Sequence, residues 1–288
     1  MKFVDLHVHS NISDGSYTPV ELVQLAHETG LSAITLSDHE TIAGNAEAKV
    51  EADKMGIEFI SGMEITVDYK NRHLHLVALG FDAKQPAFQA LYKKIRELKE
   101  AKMEELIWGI REKDVPISVA LVEPFALLNK IDRYAIMRYL VSLKLFDHVQ
   151  PIWDQYITPV LRQLKLNHNV SVEETTQAIK AAGGMTSLAH FHKRLGLAGL
   201  NREEQETAIA ELCSMGLDGM EQYYPNYTVE DQAFAESMLT KYKMIPTGGS
   251  DFHGLNRPEV ALGTGLKNNL AVPYALYENV LQCCQRNV

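Results

Sequence analysis

Cysteine is scarce in this chain. Cys213 and the adjacent pair Cys283 and Cys284 are the three it has, too few and too badly spaced for a disulfide framework or a thiolate zinc site. Long apolar runs are missing as well: nowhere do ~18 apolar residues follow one another, as a membrane helix requires. The first residues lead into a polar, histidine-bearing segment and not into a basic and then apolar leader, so a reduced, soluble, cytoplasmic protein is expected. There is no basic excess, since 28 Lys and Arg stand against 37 Asp and Glu for a net charge of −9. A chain of that sign lacks the basic face that grips long nucleic acid. Internal repeats and low-complexity tracts are absent too. The 288 residues are 46% hydrophobic, ample for a large core and in keeping with one α/β barrel carrying an insertion.

Histidine is what the chain does have, 11 in all. Lys2 to His9 alternates as a strand, with Val4, Leu6 and Val8 on one face and Phe3, Asp5, His7 and His9 on the other. A His-x-His pair at a strand end sets its Cα atoms about 6–7 Å apart, and both imidazoles can then reach one divalent ion at about 2.0–2.1 Å. The other reading is two histidines on a solvated face. Further donors arriving at equivalent places downstream decide between the two.

Thr18-Pro19-Val20-Glu21 combines an N-cap, a first-turn proline and a capping-box glutamate, and predicts a helix ending near Gly30. Leu31 to Leu36 reads as a second strand ending in Ser37-Asp38-His39, followed by a helix from about Thr41 to Met55. Gly56 to Val67 and His73 to Phe81 read as the third and fourth strands. From about Pro86 to Leu166 the pattern turns helical, with Ile131 to Leu145 as one of its helices. Alternation resumes at a second capping box, Ser171 to Glu174. Strands are then expected at Met185–His190, Leu217–Tyr223 and Met244–Gly248, each separated from the next by a helix, and a last helix at Pro273–Cys284. Six or seven βα units predict a parallel, closed or nearly closed barrel at 1–85 and 167–288, with a helical subdomain at 86–166 capping the active site.

His7, His9, His39, Glu64, His75, His190, Asp251 and His253 lie in or just past predicted strands, and Asp14 lies in the loop after the first. In parallel α/β architectures the C-terminal ends of the strands converge on one face. Nitrogen and carboxylate donors without thiolate suit Zn, Mn or Fe, and several such ions together do hydrolytic chemistry. His73 shares a face with His75, His27 falls on a helix surface, and His148 and His168 have no motif around them. Asp38 is open between orienting His39, capping a helix and binding metal.

Asp5-Leu6-His7-Val8-His9-Ser10 with Asp14-Gly15, Ser37-Asp38-His39, Glu64, His75, Leu188-Ala189-His190 and Gly249-Ser250-Asp251-Phe252-His253 together resemble the polymerase-and-histidinol-phosphatase (PHP) domain family. The resemblance covers about residues 1–82 and 170–265. It implies a distorted (βα)7 TIM-like barrel with two or three divalent metal ions. His7, His9, Glu64 and Asp251 would hold one ion. Glu64 would bridge to a second, held with His75 and His190, and Asp14, His39 and His253 would hold a third. A metal-bridging hydroxide would attack phosphorus, with Asp251, His39 and His253 as the candidate catalytic groups.

The helical insertion after the fourth strand is most similar to the bacterial branch that removes phosphate from nucleotides, including 3′,5′-bisphosphates. Some members of that branch trim RNA or DNA from the 5′ end. The resemblance therefore implies a small phosphorylated substrate, a nucleotide or a short oligonucleotide; the alternatives are histidinol phosphate, a sugar phosphate, or a metal-binding scaffold without turnover. Arg133 and Arg138 in the insertion, and His192 and Arg194 after His190, are candidates for the phosphate. Lys193 belongs to the same cluster, and Tyr223 and Tyr224 offer faces for a base or for wall packing. Two positions depart from the branch: Ala135 replaces its usual histidine and Phe191 its usual proline.

Overall fold

A computed structural model describes residues 2–126, 131–144, 150–163 and 169–287. His148 and His168 lie outside the described residues, as does Leu145, the expected end of a helix. Contacts divide the chain into two units, residues 1–92 with 170–288, and residues 93–169.

The first unit begins with β1 (Phe3–Asp5), α1 (Pro19–Glu28), β2 (Ala33–Leu36), α2 (Asn45–Met55), β3 (Glu58–Tyr69) and β4 (Arg72–Leu79). Helix α3 (Pro86–Arg111) starts in this unit and ends in the second. In the second unit follow α4 (Val119–Val122), α5 (Arg133–Ser142), α6 (Gln150–Ile152) and α7 (Thr158–Gln163). The first unit resumes with β5 (Val170–Ser171), α8 (Val172–Ala181), β6 (Met185–Leu188), α9 (Arg202–Ser214), β7 (Gly219–Tyr223), α10 (Val229–Tyr242) and β8 (Ile245–Gly248). The short strands β9 (Val260–Ala261), β10 (Gly265–Leu266) and β11 (Val272–Pro273) lead to α11 (Tyr274–Arg286).

Local chemistry sets the boundaries. Thr18 and Glu21 close the full capping box on α1, with Pro19 in the first turn. Asn201 with Glu204 and Thr228 with Asp231 do the same for α9 and α10. Gly56 ends α2 in the left-handed conformation at φ 70°, where a Cβ would cost energy.

Strands β1, β2, β3, β4, β6, β7 and β8 lie side by side in that order, with β11 on the outer edge of β1. The ring is brought nearly to closure where the segment after β1 meets the segment after β8. Leu6 N donates to Gly248 O (3.2 Å), Asp251 N to His7 O (2.8 Å) and His9 N to Phe252 O (3.0 Å). The architecture is the expected α/β barrel, with one correction. Strand β4 runs antiparallel to both β3 and β6, whereas the reading of successive βα units makes it parallel. A parallel return needs a crossover of a dozen or more residues, and β3 and β4 are separated by the Lys70-Asn71 turn alone, with Lys70 at φ 52°.

Helices α1 and α2 cover one side of the barrel through Leu22, Val23, Ala26, Ala48 and Ala52, packed on Ile34 and Leu36. Helix α11 covers another with Leu276, Val280, Cys283 and Cys284 against Val4, Leu79 and Met185. Each fully buried aliphatic side chain of this kind contributes about 1.5–3 kcal/mol. The second unit has its own core, in which Leu106, Ile110, Ile136, Leu140 and Ile157 are buried.

Candidate metal centre

His7 and His9 follow β1 in extended backbone, and both are fully buried. His39 follows β2, and Glu64 lies within β3, bridged to His39. His190 and Asp251 follow β6 and β8 with left-handed backbone, φ 28° and 53°, a conformation non-glycine residues adopt at a cost of about 1–3 kcal/mol. His75 sits near the start of β4. In a parallel strand it would face the opposite end of the barrel, and reversal of β4 brings it to the others.

Glu64 is the hub. Its Oε1 lies 2.8 Å from His75 Nδ1 and 3.0 Å from His190 Nε2. Its Oε2 lies 3.2 Å from His9 Nε2, 3.2 Å from His39 Nδ1 and 3.4 Å from His7 Nε2. Asp251 Oδ1 adds contacts of 3.6 Å to His7 Nε2 and 3.3 Å to His9 Nε2. Asp14 reaches His253 Nε2 at 3.3 Å, His9 Nδ1 at 3.6 Å and His39 Nε2 at 3.7 Å. Among the described residues, donor atoms within 4.8 Å of one another thus form three groups, His7-His9-Glu64-Asp251, His39-Glu64-His75 and His9-Asp14-His39-His253.

The donors fit divalent ions. His190 Nδ1 is buried without a hydrogen-bond partner, and His9 Nδ1 and His253 Nε2, without a well-formed hydrogen bond, face the Asp14 carboxylate at 3.6 and 3.3 Å, a costly state for buried ring nitrogens unless something binds them. Charge tells the same story. Burial works against ionised carboxylates, but the imidazoles around Asp14, Glu64 and Asp251 overcome it and hold all three below the usual carboxylate range. Burial also opposes charge on His7, yet Glu64, Glu221 and Asp251 raise it well above the ordinary value. His9 is raised to about 10 by Asp251 and Glu64, again against burial. His39 goes the other way, to about 4, through burial first, with His9 and His75 adding to it against Glu64. The carboxylates demand positive charge, which protons supply on two imidazoles and metal ions would supply better.

The contacts of several neighbours escape a reading of the sequence. Glu221, buried in β7, accepts from His7 Nδ1 (2.6 Å) and from the His190 amide (2.6 Å). That bond leaves His7 Nε2 facing the cluster. Asp251 Oδ2 accepts from Tyr224 Oη (2.6 Å), Arg257 Nη1 (2.7 Å) and Lys193 Nζ (3.4 Å). Asp5 shares a strand with the histidines but serves as a latch, accepting from Ser250 N (2.9 Å), Ser250 Oγ (2.6 Å) and Gly263 N (2.8 Å). Asp38 turns away from His39 to Ser10 N, Ser10 Oγ and Ser13 Oγ at 2.8, 2.6 and 2.6 Å, so it ties down the loop carrying Asp14.

A cleft of about 250 Å³ opens on Glu64, His75, His190 and Asp251, with Lys193, Arg194 and Arg257 among its walls. His192 instead packs between Tyr224 and Tyr227, with ring centroids at 5.6 and 5.0 Å. His73 pairs with Asp68 at 2.7 Å, outside the donor groups, and His27 is exposed on α1. Tyr223 packs on the barrel core. Phe191 is fully buried against Tyr227 and Phe234. In the second unit Arg133 opens α5, and Arg138 Nε donates to Phe125 O at 2.9 Å. Ala135 is fully buried in that unit's core.

The PHP domain family model matches residues 5–215. The chain belongs to the PHP domain family. This PHP chain is 29% identical over 252 residues to a 5′-3′ exoribonuclease of Haemophilus influenzae, covering 88% of this chain and 90% of that one. It is 28% identical over 256 residues to a 3′,5′-nucleoside bisphosphate phosphatase of Chromobacterium violaceum, covering 88% of each. A solved structure from Bifidobacterium adolescentis, provisionally assigned as a metal-dependent phosphoesterase, shares the fold with a TM-score of 0.76 and 24% identity over 98% of this chain and 96% of that one. With the PHP fold and this donor set, the chain is a metal-dependent phosphoesterase. Among the described residues no helix is long and apolar enough to cross a membrane.

Proposed function

We propose that the chain hydrolyses the phosphate ester of a nucleotide, a nucleoside monophosphate or 3′,5′-bisphosphate, at the Glu64 cluster. The observation that carries this is that Glu64, shared by two of the donor groups, opens with His39, His75, His190 and Asp251 on one narrow cleft that is also walled by three cationic side chains. His7, His9, Glu64 and Asp251 would hold one divalent ion, Glu64 with His75 and His190 a second, and Asp14, His39 and His253 a third. Mn, Zn and Fe all suit these donors. Such ions, when bound, supply an activated water and neutralise charge on the phosphoryl oxygens.

The chain's own groups do the rest. Glu221 fixes the His7 tautomer, and Asp251, held at Oδ2 by Tyr224 and Arg257, presents Oδ1 to the cluster. His39 and His253 flank Asp14 at the edge of the donor set, placed to handle a proton of the attacking water or the leaving oxygen. Lys193, Arg194 and Arg257 line the cleft as partners for a phosphoryl dianion. Arg133 and Arg138 are the candidates from the second unit.

Phosphate release by Mn-loaded protein from nucleoside monophosphates, 3′,5′-bisphosphates, histidinol phosphate and sugar phosphates tests the reading. Preference for a nucleotide class is expected, and preference for histidinol phosphate or a sugar phosphate would overturn it. Trimming of short RNA is a second reading, supported by the similarity to a 5′-3′ exoribonuclease.

A further inference from the structure

Three cationic side chains line the metal cleft, and they are not equivalent. Arg257 is held by Asp251 Oδ2 at 2.7 Å and Lys193 by the same oxygen at 3.4 Å, while Arg194 is exposed and has no hydrogen-bond or ion-pair partner among the described residues. Two of the three, Lys193 and Arg194, ride on one loop, residues 191–200, which follows His190 and leads into α9. A long cationic side chain on a loose loop gives up freedom when it grips a phosphoryl group, and a loop fixed beforehand spares that cost.

The loop is closed on itself. Leu197 N donates to Phe191 O (2.6 Å), Lys193 N to His190 O (2.8 Å) and Ala198 N to Lys193 O (3.2 Å). Phe191 and Leu197, both fully buried, anchor it. A Cβ on Gly196 would lie 2.6 Å from Phe191 O, so the crossing of the chain over itself needs glycine there.

Donors from outside the loop complete it. Arg72, at the start of β4, donates Nη1 to Ala198 O (2.9 Å), and His75 N donates to Leu195 O (3.1 Å). From α9 the buried Gln205 donates Nε2 to Leu200 O (3.2 Å) and less closely to Leu197 O (3.4 Å). Arg202 holds Gln205 Oε1 (2.8 Å) and Asp231 (2.7 Å), and its guanidinium lies over the rings of Phe234 and Phe191, 4.5 and 5.7 Å from their centroids. Arg72 makes no ion pair among the described residues; its charge is spent on a carbonyl. Ala198 joins it to the cleft, since the amide of Ala198 holds the carbonyl of Lys193 while Arg72 holds the carbonyl of Ala198.

We propose that Arg72 is a positioning residue for phosphate recognition: by pinning Ala198 it fixes the loop so that Lys193 and Arg194 stand over the cleft before substrate arrives. Gln205 does the same from α9. Neither residue lines the cleft or belongs to a donor group. The inference rests on the phosphoesterase reading and adds to it residues that act through others.

The test uses Mn-loaded full-length protein and a nucleoside monophosphate. Arg72→Met should raise KM about fivefold or more, with kcat and Mn affinity, the latter read by competition with a chelator, within about twofold of wild type. In a Lys193→Ala, Arg194→Ala background the same substitution should change KM by less than about twofold, because the side chains it positions are gone. An unchanged KM in Arg72→Met, a loss of Mn affinity in step with the rise in KM, or the full effect persisting in the double-alanine background, as a direct effect of the charge on substrate would produce, overturns the proposal. Thermal unfolding checks the fold, and Gln205→Leu carries the same prediction if Arg72→Met does not fold. If wild type hydrolyses no nucleotide, the nucleotide reading fails, and calorimetric binding of inorganic phosphate to Mn-loaded protein still decides the positioning. Binding about fivefold weaker in Arg72→Met supports it, and equal binding refutes it.

Discussion

Glu221 belongs to no donor group, yet its two 2.6 Å hydrogen bonds orient His7 and fix the backbone of His190 together. Outer partners of this kind are worth about 10–100-fold in metal affinity or activity. Glu221→Gln should therefore weaken metal binding by about that factor, read by competition with a chelator, and unchanged affinity would leave Glu221 a structural acid. Arg133→Ala should raise KM for a phosphorylated substrate, since a charge-assisted contact is worth about 1.5–3 kcal/mol; an unaltered KM would remove it from the site. The candidate ligands are legible in the sequence because each stands in a short local motif. Glu221, Tyr224 and Arg257 are not, because their roles depend on what faces them across the barrel. Glu221, between Met220 and Gln222, reads as a solvent-facing position of a strand. The one signal available is that it is the only acid of its strand. Asp5 misleads for the converse reason: its place on the His7 and His9 face suggests a role with them, and only the approach of Ser250 and Gly263 shows it to be a latch.

The site is assembled by two backbone events at the level of elements, the reversal of β4 and the meeting of the segments after β1 and β8. The first is legible in principle: five residues between Val67 and His73 cannot make a parallel crossover, and Lys70-Asn71 between alternating runs is a hairpin signal. The second is not, since nothing local in Gly249-Ser250 reports that it will touch His7. The contact is tight. A Cβ on Gly249 would lie 2.4 Å from His7 N, 2.5 Å from His7 Cβ and 2.7 Å from Asp5 Oδ1. Gly249→Ala should accordingly destabilise the protein by about 1–3 kcal/mol, as overpacking does, and lower its metal content as His7 is displaced. Denaturant unfolding and metal analysis together check this; a stable variant with full metal content would contradict it.

Metals and protons compete for the same imidazoles, and the stability of the whole molecule should report that. In metal-free protein His9, raised to about 10, binds more protons folded than unfolded. Its contribution is complete below the unfolded value of 6.5 and is lost as pH rises toward 10. His39, lowered to about 4, is protonated mainly on unfolding between 4 and 6.5, so acid in that window destabilises, and further acid protonates Glu64 and Asp251. Metal-free protein should therefore be most stable near neutrality, and metal loading should remove the alkaline decline by replacing the protons on His7 and His9. Thermal unfolding from pH 5 to 10, with and without chelator, measures both; identical profiles would contradict the account. At a free metal concentration 1,000 times the Kd the stabilisation is about 4 kcal/mol.

The change of pattern near Pro86 is legible in the sequence, but contacts divide the units at Tyr92 and Lys93, because Phe88 is buried and stacks on Phe81 at 4.4 Å. The claim on which everything else depends is that the Glu64 cluster is a metal centre that hydrolyses phosphate esters. Its most direct test is phosphate release from a nucleoside 3′,5′-bisphosphate as Mn is titrated into stripped protein, with wild type and Glu64→Gln side by side. Release should rise with metal in wild type and be lower by about 10²-fold or more in the variant. Release that is independent of metal, or undiminished in Glu64→Gln, would contradict the account.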